Sequence, residues 1–169
     1  MRWLLYLLLY IPVQLFAYLI TPLLPLFAVM RLGKSDNASA YRVEPRLPEW
    51  LSAFDTPDNS LWGDGNWMRS RDASSYWSMV GWLYRNSLYG FKWNVLSMPI
   101  EEAPFVYGNT NINHHTQTYG AFIITQLNGA WQYKLVRPLF GRILVLNIGW
   151  LLDDVSQERA LFMLSPRIK

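Results

Sequence analysis

The chain begins with a long apolar segment, and charged residues are spread over everything that follows it. Between Trp3 and Met30 no residue is charged, and only Gln14 and Thr21 are clearly polar. As a continuous α-helix these 28 residues would extend about 42 Å at about 1.5 Å per residue, whereas the hydrocarbon core of a bilayer is about 30 Å thick. We therefore predict a membrane anchor over residues 1–30. Three prolines are expected to kink or end its helix: Pro12, Pro22 and Pro25.

Three interpretations of this segment compete, and we favour a single span over residues 3–22. One alternative is a helix that enters the bilayer and returns, broken at Pro12 or Pro22. The other is a cleaved signal peptide, because residues 38–40 (Ala-Ser-Ala) are typical of a cleavage site. The apolar run, however, far exceeds the roughly 7–15 residues of a signal-peptide core.

The basic residues around the segment predict its orientation. Arg2 precedes the apolar run. Four basic residues follow it closely: Arg31, Lys34, Arg42 and Arg46. Because cytoplasmic flanks carry the excess of Lys and Arg, we expect a single-pass protein whose C-terminal domain is cytoplasmic.

The remaining chain divides by composition. Residues 31–46 are polar, of mixed charge and without apolar periodicity, which predicts a linker. Residues 47–169 are expected to form one α+β domain, helical and turn-rich over 47–90 and β-rich over 91–169.

The first part of this domain carries helix and turn signals. Leu47–Phe54 has the spacing of a short amphipathic helix, which would lie on the lipid interface or pack on its own domain. The Pro, Gly, Asn and Asp residues of 55–72 predict consecutive turns. Ser74 or Ser75 is expected to cap a helix that runs to about Asn86.

From residue 91 onward the pattern changes to short runs that are typical of strands. Five strands are predicted: Phe91–Ser97, Tyr119–Leu127, Ala130–Arg137, Arg142–Leu151 and Arg159–Leu164. Asn128-Gly129 is a strong hairpin signal, since a type I′ turn needs two residues at positive φ, and Asp153-Asp154 is expected to form an acidic turn. The predicted fold class is therefore α+β: an N-terminal transmembrane helix, one or two short helices and a four- to five-stranded antiparallel sheet.

Composition and charge exclude several functions. The chain has no cysteine, which excludes disulfides, thiol nucleophiles and Cys-ligated zinc. The net charge is only +3, and no basic patch marks a nucleic-acid binder. Nine Trp and ten Tyr suit both a protein core and a membrane interface.

The turn-rich segment carries most of the side chains that could do chemistry. Asp55, Asp58, Asn59 and Asp64 offer oxygen ligands, and Asp58 and Asp64 are weak candidates for a metal site. The spacing fits no EF-hand, so we favour a structural role for these residues in the turns. In that role Arg85 fastens the loop by a charge-assisted hydrogen bond.

No motif for catalysis or for a cofactor stands out. His114-His115 is expected to lie in a solvated loop and Glu101-Glu102 in a solvated turn. The chain has neither a Gly-x-Ser-x-Gly nucleophile turn nor a Gly-rich phosphate loop. These patterns predict no cofactor and no enzymatic activity.

Several short sequences nevertheless form a distinctive set. They are Leu47–Leu51 (LPEWL), Phe54–Asp64 (FDTPDNSLWGD), Gly81–Asn86 (GWLYRN), Tyr89–Phe91 (YGF) and Ile148–Leu152 (IGWLL), followed by Arg159-Ala160 and Ser165–Arg167. Over residues 47–167 the chain resembles an uncharacterised family of small proteins of tailed bacteriophages and prophages, many with an apolar N-terminal segment. The resemblance implies an infected or lysogenic bacterium as the setting, and it supplies no catalytic residues.

Together these observations predict a non-enzymatic phage protein of the host inner membrane. We expect it to contact the lipid bilayer through residues 3–30 and to engage an unidentified phage or host protein, but no nucleic acid. One alternative is a lysis or superinfection-exclusion factor that acts in the membrane. Others are a virion-associated component and a membrane-tethered hydrolase or metal-dependent enzyme.

Overall fold

The computed structural model describes residues 2–34, 41–100, 105–112, 118–152 and 159–169. The chain divides into two compact units, Met1–Val95 and Leu96–Lys169. The second unit begins close to residue 91, where the sequence predicts the change from helical to β-rich structure. Some sequence-predicted features lie outside the described residues: the Ala-Ser-Ala stretch at 38–40, Glu101-Glu102, His114-His115 and Asp153-Asp154.

The apolar segment forms an α-helix followed by a 3-10 helix. Helix α1 spans Arg2–Ile20 and continues through Pro12. The 3-10 segment Thr21–Phe27 follows directly and contains Pro22 and Pro25. Since a proline supplies no N–H to the i−4 carbonyl, the α-helical hydrogen bonding ends where the sequence predicts that it should.

The predicted linker is instead a β-hairpin where the structure describes it. Strand β1 (Val29–Lys34) pairs antiparallel with β2 (Tyr41–Arg46). The register sets Arg31 opposite Glu44, and the Glu44 carboxylate pairs with Arg42 of its own strand at 3.0 Å. Polar composition suggested a linker because charged residues in both strands leave no apolar periodicity to detect.

Short helices complete the first unit. The amphipathic stretch is a 3-10 helix over Glu49–Phe54. The predicted turns of 55–72 are partly wrong, because α2 spans Gly65–Ser70 within them. The predicted capped helix is confirmed as α3 (Tyr76–Arg85), and the Ser75 hydroxyl accepts the Ser78 N–H.

The predicted strand Phe91–Ser97 is wrong. Helix α4 covers Tyr89–Phe91, and a π-helical turn covers Lys92–Leu96. The rings of Tyr89 and Trp93 stack with centroids 6.4 Å apart, which is the i, i+4 pairing of a helix. A Cβ at Gly90 would collide with the Ser52 carbonyl oxygen, so the chain packs here against the 3-10 helix and tertiary contact overrides the apparent strand pattern.

The core of the first unit joins the apolar segment to the short helices. Five leucines form it: Leu24, Leu47, Leu51, Leu61 and Leu83. Leu24 belongs to the 3-10 segment that ends the predicted anchor. The end of the apolar run is therefore part of the folded unit.

The second unit contains a five-stranded antiparallel sheet in the order β4-β5-β6-β7-β9. Its strands are β4 (Phe105–Gly108), β5 (Gly120–Thr125), β6 (Trp131–Leu139), β7 (Arg142–Trp150) and β9 (Phe162–Ile168). A two-stranded pair accompanies it: β3 (Met98–Pro99) and β8 (Arg159–Ala160). The predicted α+β class and antiparallel sheet are confirmed.

The Asn128-Gly129 turn connects β5 and β6 as predicted. Gly129 has φ of +82°, and the Asn128 side chain accepts the Ala130 N–H at 3.0 Å. Asn128, however, is not among the residues with positive φ, so the predicted type I′ geometry is wrong. The Gly129 N–H donates to the Gln126 carbonyl at 3.0 Å, which makes Leu127 and Asn128 the central residues of the turn.

The core of the second unit combines aromatic rings with one buried amide. The rings of Trp150 and Phe162 meet edge to face at 5.1 Å, and each residue is 1% exposed. Gln132 on β6 is fully buried. Its Oε1 accepts the Leu152 N–H at 2.7 Å, which satisfies an otherwise costly buried polar group.

Candidate membrane-facing site

The apolar segment has two faces that differ in burial. At about 100° per residue, five buried positions fall on one stripe: Tyr10, Gln14, Ala17, Thr21 and Leu24. The opposite stripe of α1 is exposed and aliphatic: Leu4, Leu8, Leu15 and Leu19. Leu26 in the 3-10 segment is exposed as well. Both clearly polar residues of the run, Gln14 and Thr21, therefore lie on the buried stripe.

Two tyrosines of α3 donate hydrogen bonds to carbonyl groups at the end of α1. Because Pro22 has no N–H, it cannot bond the Tyr18 carbonyl as an ordinary helical residue would. The Tyr84 hydroxyl donates to that carbonyl at 3.0 Å, and the Tyr76 hydroxyl donates to the Pro22 carbonyl. Helix α3 thus satisfies backbone groups at the proline break and holds α1 to the first unit.

Further contacts occur near both ends of the docked stretch. The Lys92 ammonium lies 5.7 Å from the centre of the Tyr10 ring, a cation–π arrangement. The rings of Phe27 and Trp50 meet edge to face at 5.7 Å. From Tyr10 to Phe27 the segment is consequently docked on its own unit along one side.

The outward stripe is a strongly apolar surface. Leu8, Leu15, Leu19 and Leu26 are between 60% and 79% exposed. Leu4–Phe27 is the one helix among the described residues that is long and apolar enough to cross a membrane, and only 22% of its most apolar window is buried. The surfaces of water-soluble proteins rarely present a contiguous row of exposed leucines. The stripe is therefore suited to contact with lipid.

The turn-rich loop is organised around the buried carboxylate of Asp55. Its oxygens accept the Leu47 N–H at 3.0 Å and the Thr56 N–H at 2.8 Å. Burial raises the pKa of Asp55 above its ordinary value of 3.8, although these two hydrogen bonds and the nearby Arg46 act in the opposite direction. Asp55 therefore joins the chain just before the 3-10 helix Glu49–Phe54 to the loop.

Arg46, which sequence reasoning missed, holds the next part of the loop. Its guanidinium donates to the Thr56 carbonyl at 3.3 Å and to the Pro57 carbonyl at 3.1 Å. The Thr56 hydroxyl donates to the Asn59 carbonyl at 2.9 Å. Asp58 is exposed. Arg46 is ten and eleven residues before the two carbonyls that it contacts, and nothing in its local sequence indicated that it would reach the loop.

Asp64 has two roles at the end of the loop. Its side chain caps α2 by accepting the Trp67 N–H at 2.7 Å. Its other oxygen lies 3.7 Å from an Arg85 nitrogen, which is an ion pair longer than a hydrogen bond. Arg85 also lies over the rings of Trp67 and Trp82, at 5.7 Å and 5.6 Å from their centres. Arg85 therefore contacts the loop as expected, but by ion pairing and ring stacking.

The geometry offers no support for a metal centre in this loop. Within the described ranges, no three His, Asp or Glu side chains come together as possible ligands. Asp58 and Asp64, the weak candidates from the sequence, stand without such a cluster. The loop instead supports the unit on which α1 is docked.

The chain belongs to a family of unknown function, DUF7338, whose model matches residues 1–167. The match includes the apolar segment as well as both units. No curated protein and no solved structure matches the chain.

Proposed function

We propose that this chain is a non-enzymatic, membrane-anchored protein-interaction module of the bacterial inner membrane, encoded by a phage or prophage. Residues 3–30 attach it to the bilayer, and their apolar character is sufficient for that attachment. The observation that carries the proposal is the exposed aliphatic stripe of α1, because only lipid or another apolar surface would cover it favourably.

The flanking charges support a cytoplasmic position for the two units. Arg31 and Arg42 are exposed on the hairpin that follows the apolar segment. Basic side chains beside a membrane attachment favour the anionic cytoplasmic leaflet. The phage setting rests on the sequence resemblance alone.

An exposed edge of the sheet supports the protein-interaction part of the proposal. Within the described residues β4 pairs only with β5. Its side chains Phe105, Val106 and Tyr107 are 57%, 43% and 61% exposed. An apolar edge strand with unpaired backbone groups is a template for adding a strand from another chain.

Expression of the full chain in bacterial cells tests both parts. After cell breakage and an alkaline wash, the protein should stay with the membranes. A photo-reactive amino acid at Tyr107 should give light-dependent adducts, whereas the same group at Arg137, an exposed position on β6, should not. V106K, which places a charge on the edge, should remove the adducts without changing membrane association.

Two results would count against the proposal. Absence of the protein from the washed membrane fraction would contradict the proposed membrane anchoring. Equal yields of adducts at Tyr107 and Arg137 would contradict the proposal that the β4 edge is the interaction surface. Loss of viability on expression of the chain alone would point instead to a lysis or exclusion function in the membrane.

A further inference from the structure

We infer that α1 lies along the membrane surface, in the plane of the interface, with its aliphatic stripe in the lipid. The inference rests on the proposed membrane anchoring and concerns its geometry. It replaces the single-pass span predicted from sequence. In this arrangement the N-terminus and the rest of the first unit are on the same side of the membrane.

The docked part of the apolar segment is almost as long as a bilayer is thick. From Tyr10 to the end of α1 the helix rises about 15 Å at about 1.5 Å per residue. The seven residues Thr21–Phe27 add about 14 Å at about 2.0 Å per residue. A helix along the bilayer normal would therefore spread its docked side over about 29 Å of a hydrocarbon core about 30 Å thick.

A span that kept the docking contacts would carry charged groups into the hydrocarbon. Lys92 lies over the Tyr10 ring, well inside the apolar run. The Tyr84 hydroxyl bonds the Tyr18 carbonyl, and the next residue, Arg85, pairs with Asp64. Charged side chains and irregular backbone are both strongly disfavoured in the hydrocarbon region. Spanning and docking thus exclude each other.

Undocking would also take protein donors away from backbone carbonyls of the segment. The Tyr18 carbonyl would lose its tyrosine donor, and no water replaces a donor in the hydrocarbon core. A span that continued through the 3-10 segment would in addition withdraw Leu24 from the leucine core of the unit.

The in-plane arrangement covers both faces of the segment. The aliphatic stripe contacts acyl chains, while the first unit covers the side that carries Gln14 and Thr21. In an ordinary interfacial helix the polar side faces water. Here the first unit covers that side instead. Trp50, which contacts Phe27 at the end of the segment, is 70% exposed. Trp side chains favour the membrane interface.

The first test asks on which side of the membrane each site lies. Because the chain has no cysteine, an introduced cysteine is the only thiol that can be labelled. Full-length R2C and N66C are labelled with an impermeant maleimide in right-side-out and inverted membrane vesicles. Asn66 is exposed on α2 and reports the side of the first unit. We expect both cysteines to react in the same vesicle orientation and to be protected in the other.

Reaction of the two cysteines in opposite orientations would overturn the inference and leave membrane anchoring intact. Absence of the full chain from the vesicles would instead contradict the proposed anchoring, and the inference with it. The two failures are therefore distinguishable.

Depth measurements separate an in-plane helix from one that enters the bilayer and returns. Full-length L8C, L15C and L19C carry an environment-sensitive fluorophore that is quenched by lipids spin-labelled at different depths. We expect the three sites to lie at one shallow depth, within a few Å of each other, and labelled N66C to be quenched least. A difference between L8C and L19C that approaches about 16 Å, their separation along a helix, would overturn the inference. So would L15C lying well below the other two.

Discussion

Truncation of Leu24 tests whether the end of the apolar segment is part of the folded unit. Leu24 is 3% exposed and belongs to the leucine core with Leu61 and Leu83. Replacing a buried leucine by alanine costs about 2–5 kcal/mol, because apolar contacts are lost and a cavity remains. We therefore expect L24A to lower the unfolding free energy of the first unit by about 3 kcal/mol. Denaturant unfolding of the full chain in mild detergent, followed by Trp fluorescence, measures the change.

The neighbouring residue supplies a matched control. Leu23 is 55% exposed, so L23A removes the same atoms from a position outside the core. We expect L23A to cost less than about 1 kcal/mol, in the range of surface substitutions or slightly above it. Equal effects of L24A and L23A would refute the reasoning, because they would show that Leu24 is not packed in the core of the unit.

Three further predictions concern the loop and the helix contacts. D64A should be less stable than D64S by about 1 kcal/mol in denaturant unfolding, because serine keeps the cap of α2 and alanine does not; equal stabilities would contradict the cap. Y84F should lower the unfolding free energy by about 1 kcal/mol in the same assay, since it removes the donor to the Tyr18 carbonyl, and no change would contradict that bond. Burial raises the pKa of Asp55 above 3.8, so the folded state binds this proton more tightly than the unfolded state and loses stability as pH rises through the raised pKa. The unfolding free energy of wild type minus that of D55N should therefore fall as pH rises above 3.8 and level off beyond the raised pKa; a rise would contradict the sign.

Local signals were sufficient for several elements. Ser75 before an apolar run predicted the start of α3, because a serine cap satisfies an N–H that the first turn leaves free. Asn128-Gly129 predicted a turn between β5 and β6, and Gly129 does have positive φ there, whereas Asn128 does not and the predicted type I′ geometry is wrong. Pro22 predicted the end of α1 for an equally local reason, the missing N–H.

Other elements depend on contacts between residues distant in the sequence. The alternating residues of Phe91–Ser97 indicated a strand, but Gly90 packs directly on Ser52 and the chain stays helical there. Strands β1 and β2 place charged residues such as Arg31 and Glu44 at paired positions, so their sequence has no apolar alternation. Neither arrangement leaves a periodic trace in the sequence.

The candidate site divides in the same way. The apolar run predicted membrane contact, and the Pro, Gly, Asn and Asp residues indicated the loop that holds Asp55, Asn59 and Asp64. The sequence did not indicate that one side of α1 is docked, because the partners of Tyr18 and Pro22 come from a helix more than fifty residues later. Gln14 and Thr21 both lie on the docked stripe. Their shared position in the apolar run was the one signal in the sequence that this side is docked.

Vesicle flotation tests most directly the claim that the aliphatic stripe attaches the chain to lipid. Purified full-length protein is mixed with vesicles of bacterial-type lipids and centrifuged through a density gradient. We predict that wild type rises with the vesicles and that L15E/L19E stays at the bottom, while L127E, at a leucine 84% exposed in the second unit, rises like wild type. Wild type that stays in the dense fraction, or L127E that is released as fully as L15E/L19E, would contradict the account.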